Sequence, residues 1–340
     1  MLSYLQRDRQ AAGLAGAAPS GGASIALQRA LASWRAVMRT RQFVVAEGDP
    51  LCGGAVRAQA LLEGALSAGG GQVRILAGTM PHYSAGAGDE GHSALSTDEL
   101  DRVAAGTRVV IGPAGVAPTV RASLVRQGLR VIDATCPLVT AAQAEIRRFA
   151  AHGESVVLIG PRDSAVLPGM VGQAPDAVRT VHDVAEAGDI RVEAPGRVAV
   201  VTAPGTPGER NRMVAEAVRG ALGHVLPQDP TTYCHAASDR EHALLRLAAS
   251  SDAVLVLGRQ NSPTLASLRN SGVRAYGAAR SAEVRPAWLA GAAALGIVAA
   301  PGASPALMAD TLRALTGLGP SAVTRQVTTT LVDRGDTESG

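Results

Sequence analysis

Residues 129–153 read LRVIDATCPLVTAAQAEIRRFAAHG: a short apolar run, an acid at Asp133, a cysteine at Cys136 and then a helix-like stretch. The same order occurs twice more. Residues 42–66, QFVVAEGDPLCGGAVRAQALLEGAL, place Asp49 before Cys52, and residues 228–252, QDPTTYCHAASDREHALLRLAASSD, place Asp229 before Cys234. The first two stretches have a clear apolar strand ahead of the cysteine. The third has only Gly223-His-Val-Leu226, further upstream. Each thiol is therefore expected in a strand-to-helix loop, close to a helix N-terminus whose dipole lowers a thiol pKa and favours thiolate.

Five further segments, VVIGPAGVAP (109–118), VVLIGPRD (156–163), VAVVTAPGTPG (198–208), VLVLGRQNSP (254–263) and LGIVAAPGASP (295–305), are apolar runs that close on Gly-rich or Pro-rich turns. Strands alternating with helical stretches predict parallel sheets, hence an α/β class. Loops at the carboxyl ends of such strands are where ligands bind, and backbone N–H groups there, as after Gly258 and Gly302, suit phosphate or carboxylate. The cysteines lie 136 − 52 = 84 and 234 − 136 = 98 residues apart, which suggests three similar units that each contribute one thiol.

Composition narrows the chemistry. The chain has 340 residues, 46% hydrophobic and 18% charged, which predicts two or three soluble globular domains and no membrane bundle. All 32 basic residues are arginine, so Schiff-base and P-loop lysine chemistry is excluded. A net charge of +3 with few aromatics argues against nucleic-acid binding. Residues 1–46 carry six Arg and one acid, Asp8, loosely a transit-peptide composition. The plainer expectation is a flexible tail followed by an amphipathic helix near Ile25 to Arg39, in a cytoplasmic protein.

Three cysteines without a secretion signal are not a disulfide framework. Three converging thiolates can hold a metal. A lone zinc would need His235, His82 or water as its fourth ligand. A 4Fe-4S cluster held by Cys52, Cys136 and Cys234 fits better, because three cysteines leave one iron open to substrate. Three unrelated buried cysteines are the alternative, since free Cys packs as a small hydrophobe. The repeated context weighs against that alternative.

The stretch VIDATCPLVTAAQAEIRRF, CGGAVRA around Cys52, VLVLGRQNS after Cys234 and GAS near residue 303 resemble the LytB/IspH family of 4-hydroxy-3-methylbut-2-enyl diphosphate reductases over about residues 43–316. The resemblance implies a trefoil of three similar α/β domains with small parallel sheets around a central iron–sulfur cluster, with the three cysteines as ligands. It also implies removal of an allylic hydroxyl at the open iron by two electrons and protons. The domains expected are 43–135, 136–230 and 231–318, after an N-terminal extension (1–42, partly flexible) and before a C-terminal tail (319–340).

Departures from the family pattern fall on its acid–base and substrate residues. Ala114 replaces the histidine of an HGV element. Pro161, Ser164 and Val166 stand in place of the HxGHPEVxGT residues, whose second histidine and glutamate bind substrate and deliver protons. Pro204 stands where a TQTT threonine positions the substrate hydroxyl, and Pro263 and Thr264 interrupt NSSNS. The expected substrate-binding residues are Asn261, Ser262, Thr264 and Ser304, with His82 one position out of register; no catalytic acid or base is assigned. Arg162 and Asp163 are candidates for a substrate carboxylate and an acid–base step, or form a solvated loop pair. His235 is a candidate donor to a cluster sulfur, or a surface residue.

The expected function is a diverged iron–sulfur oxidoreductase with an altered, less anionic small-molecule substrate and a ferredoxin-type or flavodoxin-type electron donor. A redox-neutral hydro-lyase and a non-catalytic cluster protein are the alternatives. No nucleic-acid or membrane partner is expected.

Overall fold

A computed structural model describes residues 2–7, 10–15, 21–47, 52–69, 72–80, 92–192, 197–260, 262–301 and 303–327. In chain order the elements are β1 (Leu2–Arg7), β2 (Gln10–Ala15), α1 (Gly21–Val37), β3 (Arg41–Glu47), α2 (Gly53–Ser67), β4 (Val73–Leu76), β5 (His92–Leu95), β6 (Arg108–Ile111), α3 (Pro118–Arg126) and β7 (Arg130–Asp133). Then follow α4 (Pro137–Ala151), β8 (Ser155–Ile159), α5 (Leu167–Val171), β9 (Val178–Val181), α6 (Val184–Gly188), β10 (Val198–Thr202) and α7 (Gly208–Leu222). The last are α8 (Ala236–Ala249), β11 (Ala253–Leu257), α9 (Pro263–Asn270), β12 (Ala275–Ala278), α10 (Pro286–Leu289), β13 (Ala294–Ala299), α11 (Pro305–Thr316) and β14 (Ser321–Val327).

The chain divides into two compact units, Met1–Pro50 with Asp239–Gly340, and Leu51–Ser238. The first holds a five-stranded parallel sheet in the order β12-β11-β13-β3-β14 and the antiparallel pair β1-β2. Both faces of the five-stranded sheet are covered. Phe43, Val45, Leu255, Leu257 and Ile297 enter one core, while Val44, Val254 and Val256 enter another with Leu247 and Leu265. Burial on two faces is why these strands read as continuous apolar runs.

The second unit holds two parallel sheets, β5-β4-β6-β7 and β10-β8-β9. β8 divides its side chains in the same way, with Val156 and Leu158 in one core and Val157 and Ile159 in the other. The weak segment upstream of Cys234 adds a single parallel bridge, Leu226 to Ala199. Three separate parallel sheets with alternating helices bear out the expected α/β class.

Both ends of the chain carry regular structure. The segment 1–42 carries two paired strands and a 17-residue helix, α1, which covers most of the expected Ile25–Arg39 helix. Within 319–340, β14 pairs with β3 over seven residues, Ser321↔Arg41 to Val327↔Glu47. β3 in turn pairs with β13, so the strand that opens the expected first domain is built into the sheet of residues 253–299. Among the described residues no helix is long and apolar enough to cross a membrane.

Candidate metal centre

All three cysteines lie in the unit Leu51–Ser238, and all three are free and partly buried. Cys52 is the N-cap of α2 and Cys136 the N-cap of α4, where Pro137 begins the helix. An N-cap side chain normally accepts a hydrogen bond from the first turn. Neither thiol does so, which leaves both sulfurs uncommitted. Cys234 precedes α8 by two residues, and its sulfur accepts hydrogen bonds from the backbone N–H groups of Ala236 and Gly205.

The three loops are tied to one another by backbone and side-chain contacts. A Cβ built on Gly54 would lie 2.5 Å from Sγ of Cys136, so the turn after Cys52 rests directly on the second cysteine. Arg57 of α2 donates to the carbonyl of Thr135 at 3.2 Å, and the Cys136 amide donates to Pro113 at 3.0 Å. Glu145 of α4 accepts from the Asp229 amide at 3.3 Å, which joins the helix capped by Cys136 to the loop that leads to Cys234. The sulfurs are close enough to interact electrostatically, Cys52 and Cys136 both acting on Cys234.

The acids ahead of the cysteines brace these loops. Asp133 accepts from the amide of Thr135 at 3.0 Å and pairs with Arg121 at 2.6 Å. Burial works to raise the Asp133 pKa, but the Thr135 and Arg121 hydrogen bonds outweigh it and hold the carboxyl below its usual range. Asp229 accepts from the amide and hydroxyl of Thr231, at 2.9 and 2.8 Å, and these bonds hold its carboxyl low as well. Asp49 lies outside the described residues.

The expected thiolate bias fails at Cys234. Burial pushes its thiol above the ordinary value, against the two backbone N–H bonds, and the neighbouring Cys52 and Cys136 push the same way. Desolvation of a thiolate outweighs the helix terminus here. A cation bound at the sulfurs would reverse that balance by stabilising the deprotonated form.

Which metal these donors suit follows from their chemistry. Among the described residues no group of three or more His, Cys, Asp and Glu side chains is placed to hold a metal ion. His235 is exposed, and His82 lies outside the described residues. Thiolates of one zinc all reach a common centre at about 2.3 Å, whereas those of an iron–sulfur cube bind different irons and stand further apart. The Cys52 and Cys136 sulfurs, which make no cap bond, and the Cys234 sulfur, which accepts two backbone N–H groups, stand on separate, mutually braced loops, an arrangement compatible with the larger group.

The remaining candidate residues have varied environments. Ser262 is buried and caps α9 by accepting from the Leu265 amide at 3.3 Å, with buried Thr264 in the same first turn. Ser304 is exposed and caps α11, accepting from Leu307 at 3.2 Å. Both hydroxyls therefore have a structural duty and keep one O–H proton to donate. These three residues belong to the unit that includes Asp239–Gly340, and Asn261 lies outside the described residues.

At the altered family positions, Ala114 is buried with its amide on the Thr79 carbonyl, and Val166 packs against the core of β8 and β10. Arg162 forms an ion pair with Glu186, and Asp163 is exposed. Four contributors were not anticipated: Gly54, Arg57, the Gly205 amide, and His182, whose Nδ1 lies 2.7 Å from the Gly160 carbonyl in the LIGPRD loop. The CGG and APG sequences signalled the glycines. Nothing local signalled Arg57 or His182, because their partners are distant in sequence.

The model of the LytB protein family matches residues 43–316, a span that includes all three cysteine loops. The chain is a member of the LytB family. It is 32% identical over 281 residues to 4-hydroxy-3-methylbut-2-enyl diphosphate reductase of Burkholderia pseudomallei, covering 82% of this chain and 90% of the relative. It is also 32% identical over 286 residues to the enzyme of that name from Bordetella bronchiseptica, covering 83% and 88%. The solved E-1-hydroxy-2-methyl-but-2-enyl-4-diphosphate reductase from Plasmodium falciparum superposes with a TM-score of 0.71 at 18% identity, over 84% of this chain and 92% of that one. A solved (E)-4-hydroxy-3-methyl-but-2-enyl diphosphate reductase gives 0.61 at 24% identity, over 80% and 98%. Membership of the LytB family thus rests on sequence, and the LytB-type fold on both sequence and structure.

Proposed function

We propose that the chain is an iron–sulfur oxidoreductase that removes a hydroxyl from a small allylic substrate, and that its substrate carries less negative charge than a diphosphate. The observation that carries the first part is the set of free thiols on Cys52, Cys136 and Cys234, in loops fastened to each other through Gly54, Arg57 and Glu145. These residues would hold a 4Fe-4S cluster, which when bound supplies electrons one at a time and an open iron as Lewis acid. The overall change breaks a C–O bond, forms a C–H bond and releases water, and it consumes two electrons from an external donor of the ferredoxin or flavodoxin type and two protons from solvent. That donor and a cytoplasmic setting belong to the same proposal.

The altered substrate follows from what the chain can no longer do. Val166 is packed against core residues and has no proton to deliver, and buried Ala114 has no side chain to pair with an anion. Ser262, Thr264 and Ser304, with Asn261 and His82, are the proposed substrate-binding groups. Each lost hydrogen bond to a charged group weakens binding by roughly 1.5 to 3 kcal/mol. Domain limits of 43–135, 136–230 and 231–318 remain the proposed division, with β3 lent by the head of the first to the sheet of the third.

The test is anaerobic turnover with a chemical reductant, offering 4-hydroxy-3-methylbut-2-enyl diphosphate, the corresponding monophosphate and a related allylic hydroxy acid. Reductant consumption with the less charged alcohols, and little with the diphosphate, is expected. Turnover that consumes no reductant would establish a hydro-lyase instead. No turnover of any of them by cluster-loaded protein would establish a non-catalytic cluster protein.

A further inference from the structure

A second concave surface lies at the opposite end of a sheet from the cysteine loops. Arg74 is the second residue of β4 and Arg108 the first of β6, neighbouring parallel strands whose carboxyl ends lead toward the loops of Thr79 and Gly112. At the amino ends these two arginines line one cavity of about 490 Å³ with Arg102, Glu99, Thr107 and Gln72. Strands of four residues separate this cavity from the loops at the other edge by roughly 13 Å.

Among the described residues that line it, three guanidinium groups stand beside one carboxylate, and Arg108 donates in addition to the Ala65 carbonyl. The carboxylate is already engaged, since Glu99 accepts from the Ser96 amide at 3.0 Å to complete a capping box. Arg102 makes no hydrogen bond or ion pair among the described residues. Arg74 is fixed at one end by the Ala94 carbonyl at 3.0 Å, while its Nε is buried without a partner. A buried donor without an acceptor is costly, and like charges gathered around one hollow repel.

We infer that this cavity is an accessory site for a phosphate-type oxyanion, held by Arg102 and Arg74 with Arg108 and the Thr107 hydroxyl beside them. The guanidinium fork matches tetrahedral and planar oxyanions by paired N–H donors, and the volume admits a phosphorylated small molecule. The inference does not depend on the reading of the cysteine loops.

Inorganic diphosphate, titrated calorimetrically into the cluster-loaded protein at constant ionic strength, tests it. A saturable site is expected that Arg102→Gln weakens about ten-fold or more, with Arg74→Gln acting in the same direction. Ser262→Ala should leave that site intact, which separates it from diphosphate held at the proposed substrate residues. An unchanged isotherm in Arg102→Gln would overturn the inference, as would equal binding of chloride. Because Arg102 is exposed and makes no hydrogen bond or ion pair among the described residues, its replacement leaves the fold intact, and an unaltered melting temperature without diphosphate verifies this.

Discussion

Gly54 and Cys136 are in such close contact that a Cβ on the glycine would stand 2.5 Å from the sulfur and 2.9 Å from the Cβ of the cysteine. Gly53, one position earlier in α2, has nothing within 4 Å of the corresponding point. In a helix, Gly to Ala ordinarily gains about 0.5 to 1 kcal/mol. Gly53→Ala should therefore hold or slightly raise the melting temperature with unchanged iron content. Gly54→Ala should displace Cys136, cost about 1 to 3 kcal/mol by overpacking and lower the iron content. Parallel thermal melts and iron assays of the two variants check this.

Asp133 gives the loop of Cys136 a pH dependence. Its folded carboxyl is held below the ordinary range, so its contribution to stability is full above the unfolded pKa of about 3.9. That contribution is lost as pH falls through the folded value. Asp133→Asn should cost about 1 kcal/mol at neutral pH, modest because the Arg121 pair is exposed, and should flatten the acid side of the stability curve. Denaturant midpoints measured from pH 7 down to pH 3 give both quantities.

Arg41 secures the N-terminal helix. It is 2% exposed, and its guanidinium donates to Val37 at 2.9 Å, Leu289 at 3.0 Å and Ala292 at 3.0 Å, tying the end of α1 to the segment around α10 and to β3. Burial and neighbouring Arg39 lower its pKa, yet three carbonyls surround the charge. Arg41→Leu should destabilise by roughly 3 kcal/mol, and Arg41→Lys should recover only part, because an ammonium cannot reproduce the planar fork. Chemical denaturation of both variants checks the order.

The sequence revealed local order well and distant partners poorly. The apolar runs at 109–111, 156–159, 198–202, 254–257 and 295–299 are strands, because burial on both faces leaves few polar positions to blur them. β14 was hidden since SAVTRQV is an edge strand of mixed polarity, whose partner β3 lies 280 residues away in register. The cysteine loops were legible through their repeated context. The thiol of Cys234 was misjudged, because a helix terminus can be read from sequence while burial cannot. Nothing local signalled the ion pair between Arg162 and Glu186, 24 residues on.

The chain should not sustain a cell depleted of its own 4-hydroxy-3-methylbut-2-enyl diphosphate reductase. On the proposed function, the Val166 side chain has no proton to deliver and Ser164 has no charge with which to hold a diphosphate. Growth of a conditional strain carrying this chain at normal expression levels is the measurement, with loss of growth on depletion as the expected result.

The most direct measurement is the iron, acid-labile sulfide and zinc content of anaerobically purified protein, alongside Cys52→Ser, Cys136→Ser and Cys234→Ser. Close to one 4Fe-4S cluster per chain, a brown colour, and abolition or strong destabilisation of the cluster by each single substitution are predicted. Stoichiometric zinc with no acid-labile sulfide, or an undiminished cluster in any of the three variants, would contradict the assignment of these cysteines.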